Sequence, residues 1–188
     1  EKVVLDQFRV LVIQENSTMI NLYEACELDW TGGSDLPAIQ MATLSRRADY
    51  HEDPYNGVYF YRFNIDHPAL ADVRIRHALS FAVDREAIAK VMQGGVVATG
   101  RFVPPADGLP DTGLAHEFDP DRAQRLLAEA GYAEGRGFPR LRLLYNTQEN
   151  HKRIAEMVQQ MWRRHLGVNI DLENQEWKVY LANVKSRQ

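Results

Sequence analysis

The chain has 188 residues, of which 45% are hydrophobic, and this length can bury one substantial core or two small ones. Its 22 Lys and Arg residues against 26 Asp and Glu residues give a formal net charge of -4. This balance provides no basic surplus that would favour nucleic acid or an anionic membrane as a partner.

The first quarter of the chain predicts one β-α-β unit. Residues 8–13 are an apolar, β-branched run that is typical of a buried strand. Capping residues at 15–18 then predict a helix that reaches about Glu27. A second strand is predicted at 28–30, closed by a turn at 32–34. The pattern shows no partner for the sheet of this unit.

The next third predicts short helices around an aromatic strand. Residues 37–54 are polar and mixed, which indicates a short helix and a connector, and the aromatic run 58–63 predicts a strand. Between residues 72 and 92 the apolar stripe is interrupted by Asp84. Since aspartate is a good helix N-cap, this stretch predicts two linked helices, and Gly94 ends the second.

The segment 96–118 is rich in Gly and Pro and predicts a long surface excursion packed on the domain. After it, Asp119 and Pro120 provide an N-cap and a proline at the first helical position. Gly131 closes the predicted helix.

The last quarter predicts a strand, a helix and a second strand. Residues 141–145 read as a strand, and the following helix has one apolar face and ends at Gly167. Residues 168–172 alternate as the next strand, which indicates a right-handed crossover in an α/β sheet. A further helix is predicted from about Glu176. Because this helix is cut short and the first unit lacks a sheet, we expect the chain to be a fragment.

Residues suited to metal, nucleophilic or acid-base chemistry are scattered. The six histidines include no helical i, i+4 pair, and His51 and His116 are expected in solvated loops, so no metal site and no cofactor are predicted. Cys26 is the single cysteine and is expected to pack in the core. An acid-base hydrolase would need paired carboxylates, and the candidates Asp29 and Asp84 are far apart in the chain.

One position favours ligand binding. In open α/β sheets ligands collect beyond the carboxyl ends of the strands, where Asn146 and Thr147 lie before a helix that carries His151. The alternative is that Asn146 or Thr147 only caps this helix. Aromatic residues expected to be exposed could add a packing surface. They are Trp30, Tyr55, Tyr59, Phe60, Tyr61 and Trp177.

Several ordered segments resemble a known family. The segment PALADVRIRHALSFAVDREAI at 68–88 resembles a signature of the family 5 extracellular solute-binding proteins, the periplasmic oligopeptide- and dipeptide-binding proteins of ABC transporters. Further segments follow in the family's order and cover nearly the whole chain. They are ELDWTGG, DPYNGVYFYRFN, FDPDRAQRLLAEAGY and LRLLYNTQENHKRIAEMVQQMWRRHLGVNIDLENQEWKVYL.

The resemblance implies an α/β fold of the periplasmic binding protein type II kind, with two lobes of mixed sheets flanked by helices. It places residues 1–54 at the end of the first lobe, 55–64 in a hinge-crossing strand and 65–188 in part of the second lobe. The family's amine-binding aspartate is then expected beyond residue 188. With half a cleft, the chain alone is expected to bind peptide weakly or not at all. Its exposed core surface makes a homodimer an expectation.

The resemblance also implies a non-enzymatic role, the capture of oligopeptides for permease subunits of an ABC importer. Alternatives within the family are a dipeptide, nickel, sugar or opine ligand. The location implied is the periplasm, or the cell exterior as a membrane-anchored lipoprotein in a Gram-positive source. Residue matching implies a ligand-binding role for Tyr55, Asn146, His151 and Trp177. Phe60 is assigned the same role, but it stands where the family commonly has tyrosine, which implies the loss of a hydroxyl contact.

Overall fold

The computed structural model describes residues 4–32, 36–53, 55, 57–103 and 115–186. These residues form helices around one parallel pair of strands, so the predicted α/β class is confirmed. The helices are α1 Asn16–Glu24, α2 Met41–Leu44, α3 Pro68–Ala71, α4 Val73–Phe81, α5 Arg85–Met92, α6 Pro120–Glu129, α7 Glu149–Leu166 and α8 Trp177–Ser186, and the strands are β1 Leu141–Asn146 and β2 Ile170–Gln175.

The strands β1 and β2 confirm the predicted strand-helix-strand unit. They pair in parallel from Leu141 opposite Ile170 to Asn146 opposite Gln175, with α7 as the connection. The second strand begins at Ile170 and ends at Gln175, later in the chain than its predicted range. Val168 is fully buried but precedes the strand. Helices α4, α6 and α7 contribute to the same core as the sheet. Its most deeply buried large side chains are Ile75, Leu79, Leu127, Val158, Leu166 and Val168.

The helix boundaries follow the predicted capping signals. The carboxylate of Asp84 accepts a hydrogen bond from the Ala87 amide at 2.9 Å and starts α5, so two linked helices are confirmed. Asp119 caps α6 in the same way and Pro120 is its first residue. Gly131 has φ +94° directly after the end of α6. These elements form because their signals are local.

The predicted strands before residue 64 are wrong for the part of the chain that the structure describes. Residues 8–13, 28–30 and 58–63 have no ladder hydrogen bonds, and Val12 is 94% exposed. A strand needs a neighbouring strand for its backbone groups, and the described residues supply only β1 and β2, which pair with each other. The helix α1 and the short helix α2 are confirmed.

Two other expectations fail. Cys26 is exposed with φ 59°, because α1 ends at Glu24 and the cysteine lies in the turn that follows. His116 is half-buried rather than solvated. The described parts of the predicted excursion, 96–103 and 115–118, contain no helix or strand, and residues 104–114 lie outside the description. No helix in the described ranges has the length and apolar character needed to span a membrane.

The ring of His116 packs into a cationic and aromatic cluster on α4. It stacks on Phe81 with centroids 4.8 Å apart and lies 4.8 Å from the ring of His77. Its Nδ1 is 2.8 Å from the hydroxyl oxygen of Ser80, which also accepts from the guanidinium of Arg85 at 3.0 Å. Because that oxygen already accepts from a cation, the Ser80 hydroxyl is best placed to donate to a neutral imidazole.

Acidification is therefore expected to destabilise the fold through His116. Burial, together with the charges of His77, Arg85 and Arg122, lowers the pKa of His116 below its ordinary 6.5. Since the folded pKa lies below the unfolded one, the stabilisation is complete above about pH 6.5 and is lost as pH falls through the folded pKa. Denaturant unfolding between about pH 7.5 and 5 should show this fall, with a smaller slope in His116→Gln. Equal slopes in both proteins would contradict the assignment.

Candidate functional site

The candidate site lies at the carboxyl edge of the two-stranded sheet. Asn146 is the last residue of β1 and lies opposite Gln175, the last residue of β2. The chain turns away at Thr147, whose amide donates to the Gln175 carbonyl at 2.8 Å and whose hydroxyl donates to the Asn174 side chain at 2.9 Å. These bonds fix the edge at which Asn146 presents its side chain.

Asn146 and His151 contact each other across this edge. The Oδ1 of Asn146 is 2.8 Å from the Nδ1 of His151. Since an amide oxygen only accepts, Nδ1 carries the hydrogen, and the other ring nitrogen, Nε2, is the acceptor of the neutral ring. The N-cap of α7 is Gln148, whose side chain accepts from the His151 amide at 2.8 Å. Capping by Asn146 or Thr147 is therefore wrong.

Tyr59 covers one side of the imidazole. Its ring centroid lies 4.9 Å from that of His151, and its hydroxyl is 3.5 Å from the hydroxyl of Tyr61. Burial raises the pKa of Tyr59, and it raises the pKa of Tyr61 strongly, with smaller contributions from Tyr59, Tyr180 and Tyr145. Both phenols are therefore neutral at physiological pH and can donate and accept hydrogen bonds.

Helix α8 adds groups to the same edge. The Asn183 side chain donates to the side-chain oxygen of Gln175 at 2.9 Å, and Gln175 donates in turn to Glu173 at 2.8 Å. Trp177 begins the helix, is 53% exposed, and stacks on Tyr180 with centroids 5.8 Å apart. Trp177 thus presents a partly exposed apolar face at the start of α8, two residues after Gln175.

Phe60 and Tyr55 make their contacts elsewhere. The ring of Phe60 lies 4.8 Å from that of Phe102, and the guanidinium of Arg62 lies 5.3 Å from the Phe60 centroid. Tyr55 is 85% exposed and folds its ring against the backbone of Gly57. Their ligand-binding roles stay predictions, as do those of Asn146, His151 and Trp177.

The contact of Tyr59 with His151 was not assigned from the sequence, which placed Tyr59 only among the exposed aromatic residues. In an extended segment alternate side chains point to opposite sides. That rule pairs Tyr59 with Tyr61 on the side of His151 and turns Phe60 to the other side, as the contacts show. The alternation in 58–63 was a usable signal. No comparable pattern in the sequence indicated that Gln175 and Asn183 lie at this edge.

The chemistry of this edge suits reversible binding. Its amides, phenols and imidazole can donate or accept hydrogen bonds, and its aromatic rings offer apolar faces. Within the described ranges, no group of three or more His, Cys, Asp or Glu side chains could hold a metal ion. The parallel strands and the helices packed on them belong to an α/β fold of the periplasmic binding protein type II class.

The chain belongs to the bacterial extracellular solute-binding proteins of family 5. The family model, described as "Bacterial extracellular solute-binding proteins, family 5 Middle", matches residues 1–188. The chain is 35% identical to the oligopeptide-binding protein OppA of Bacillus subtilis, over 100% of this chain and 36% of that protein. It is 36% identical to the periplasmic OppA of Escherichia coli, over 96% of this chain and 34% of that protein.

Solved structures show the same likeness. An oligopeptide-binding protein of Borrelia burgdorferi, OppAIV, matches with a TM-score of 0.85 and 34% identity, over 94% of this chain and 35% of that one. Haemophilus influenzae OppA, in complex with RPPGFSPFR, matches with a TM-score of 0.76 and 30% identity, over 94% and 36%. The chain thus spans about a third of the length of these relatives.

Proposed function

We propose that this chain is part of a solute-binding protein that captures oligopeptides outside the cytoplasmic membrane and delivers them to the permease subunits of an ABC importer. The family consists of solute-binding proteins of transporters rather than enzymes. The relatives named above are called oligopeptide-binding, and the one from Escherichia coli is called periplasmic. These names support a peptide ligand and a location outside the cytoplasmic membrane, such as the periplasm.

The observation that carries the proposal is the pairing of Asn146 with His151 at the strand ends, with Tyr59 against the imidazole. A peptide backbone presents one donor and one acceptor per residue, whatever its side chains are. Side-chain amides and an imidazole, which can donate and accept hydrogen bonds, match such groups, and bridging water allows side chains of different size beside them. Trp177 offers an apolar face for a ligand side chain.

The division of the chain into lobes is part of the proposal. Residues 1–54 are assigned to the end of the first lobe, 55–64 to a hinge-crossing segment and 65–188 to part of the second lobe. Closure of two lobes over a peptide would bury the strand-end groups and create the form that the permease recognises. The alternatives, a dipeptide or another small solute, would use the same edge with fewer contacts.

The proposal is tested by calorimetry on the full-length protein with a tripeptide, a tetrapeptide, a dipeptide and a nickel salt. We expect saturable binding of the tri- and tetrapeptide and their recovery intact by mass spectrometry. In His151→Ala the Kd for these peptides should rise about fivefold to tenfold, because a hydrogen-bonding group and its aromatic contact are lost.

The control is His51→Ala, since His51 is an exposed loop residue outside the site. Its Kd should stay within about twofold of the parent value. Recovery of cleaved peptides would contradict the proposed binding function and would indicate a hydrolase. Tighter binding of nickel or the dipeptide than of any oligopeptide would assign the ligand to one of the alternative classes within the family.

A further inference from the structure

The chain contains two separate hydrophobic clusters. The larger one holds β1, β2, α4, α6 and α7. The smaller one lies earlier in the chain and consists of Ile20, Met41 and Leu44, with Leu36 and Tyr50 packed against it. Between them the chain runs through residues 57–63 without a helix or strand. The two clusters are therefore distinct packing units, and contacts between them set their arrangement.

A single side chain makes a two-sided polar contact between these units. The Nδ2 of Asn150, in the first turn of α7, donates to the Leu36 carbonyl at 3.1 Å. Its Oδ1 accepts from the Ala38 amide at a longer 3.5 Å. Pro37, between these two residues, is fully buried and fixes the backbone that carries both groups. A side-chain amide has both a donor and an acceptor, so it can pair with the Leu36 carbonyl and the Ala38 amide as a backbone peptide group would.

This contact lies next to the candidate site. Asn150 directly precedes His151, and both belong to the first turn of α7, where His151 reaches Asn146. The two units also meet where Gly94 lies against the side chain of Met41. The same helical turn therefore carries a group that faces the ligand edge and a group that fixes the other unit.

We propose that Asn150 is a latch residue, which holds the unit of residues 36–44 against α7 in the closed arrangement and so retains the ligand without touching it. The inference rests on the proposed function. Bonds that form only in the closed arrangement raise its population in the ligand-free protein as well as in the complex, and their loss raises the apparent Kd by up to the same factor. For one or two hydrogen bonds that factor is about threefold to tenfold.

The distinguishing substitution is Asn150→Asp in the full-length protein. A carboxylate cannot donate to the Leu36 carbonyl and repels it, so the latch is weakened. The same carboxylate lies in the first turn of α7, where negative charge favours the helix. We expect the tetrapeptide Kd to rise about threefold to tenfold, mainly through faster dissociation, while the Tm of the ligand-free protein stays equal or rises. A merely structural role would lower the Tm.

The matched control is Gln124→Glu. The Nε2 of Gln124 donates to the His165 carbonyl at 2.9 Å, and both residues lie in the larger unit. This variant makes the same amide-to-carboxylate change, but within one unit. It should lower the Tm slightly and leave the rate of peptide dissociation within about twofold of the parent rate.

Ligand-free hydrogen exchange tests the latch independently. Asn150→Leu removes both bonds and keeps the branching of the side chain, and exchange of the segment 36–44 should become at least about threefold faster. Unchanged exchange would contradict the latch, whether or not the parent protein binds peptide. Failure of the parent protein to bind peptide would by itself contradict only the proposed function. Peptide binding in the parent together with unaltered dissociation in Asn150→Asp also overturns it.

Discussion

Replacing Gly167 by alanine is expected to lower the free energy of unfolding by about 3 kcal/mol or more. Gly167 ends α7 with φ +67°, in the left-handed region that costs a residue with a Cβ about 1 kcal/mol. An added Cβ would also collide with the carbonyl oxygen of Glu134 and lie 2.9 Å from its carbonyl carbon. These are backbone atoms that cannot rotate away, so the loop at 133–135 would have to move.

The matched control is Gly137→Ala. Gly137 has φ +73°, close to that of Gly167, but a Cβ there would meet nothing within 4 Å. Gly137→Ala should therefore lower the free energy of unfolding by only about 1 kcal/mol, which is the conformational cost. Denaturant unfolding followed by circular dichroism measures both variants. Equal losses in the two variants would show that the close approach to Glu134 contributes nothing.

The helical part of the fold could be predicted because its signals are local. Asp84, Asp119 and Gly167 act within one turn of their own helix, so capping rules found the ends of α5, α6 and α7 without knowledge of the tertiary structure. Strands β1 and β2 were recognised because a single helix connects them and each supplies the other's hydrogen bonds.

The strands predicted at 8–13 and 58–63 failed because a strand is a property of a pair. An apolar, β-branched run indicates a segment suited to a sheet, but it does not name the neighbouring strand. The described residues offer no free partner strand to either segment. The same non-local limit explains His116, whose burial depends on the rings of His77 and Phe81 from α4.

The candidate site was predictable in part. The strand-end rule located Asn146 and His151 from the order of elements alone, and the structure brings them within 2.8 Å. By contrast, the contact of Asn150 with Leu36 joins residues 114 positions apart, and no pattern in either segment indicates it. Arg74 shows the same limit, since it donates to the Glu129 carbonyl at 2.8 Å and caps α6 from another helix.

The Trp162 side chain joins α7 to the end of α4 in the core. It is 6% exposed, and its indole Nε1 donates to the Leu79 carbonyl at 2.8 Å. Leu79 lies in the last turn of α4, where carbonyl groups lack partners within the helix. The indole therefore satisfies a buried acceptor and fills core volume at the same time, and both contributions depend on one side chain.

Trp162→Phe is expected to lower the free energy of unfolding by about 2–4 kcal/mol. Phenylalanine lacks the donor, so the Leu79 carbonyl stays buried without it, and the smaller ring leaves part of the volume empty. Trp177→Phe is the control, because Trp177 is exposed and its replacement should change stability by at most about 0.5 kcal/mol. Denaturant unfolding by circular dichroism compares the two. If Trp162→Phe were as stable as Trp177→Phe, solvent would have to reach the Leu79 carbonyl. A hydrogen bond to water would then replace the one from the indole.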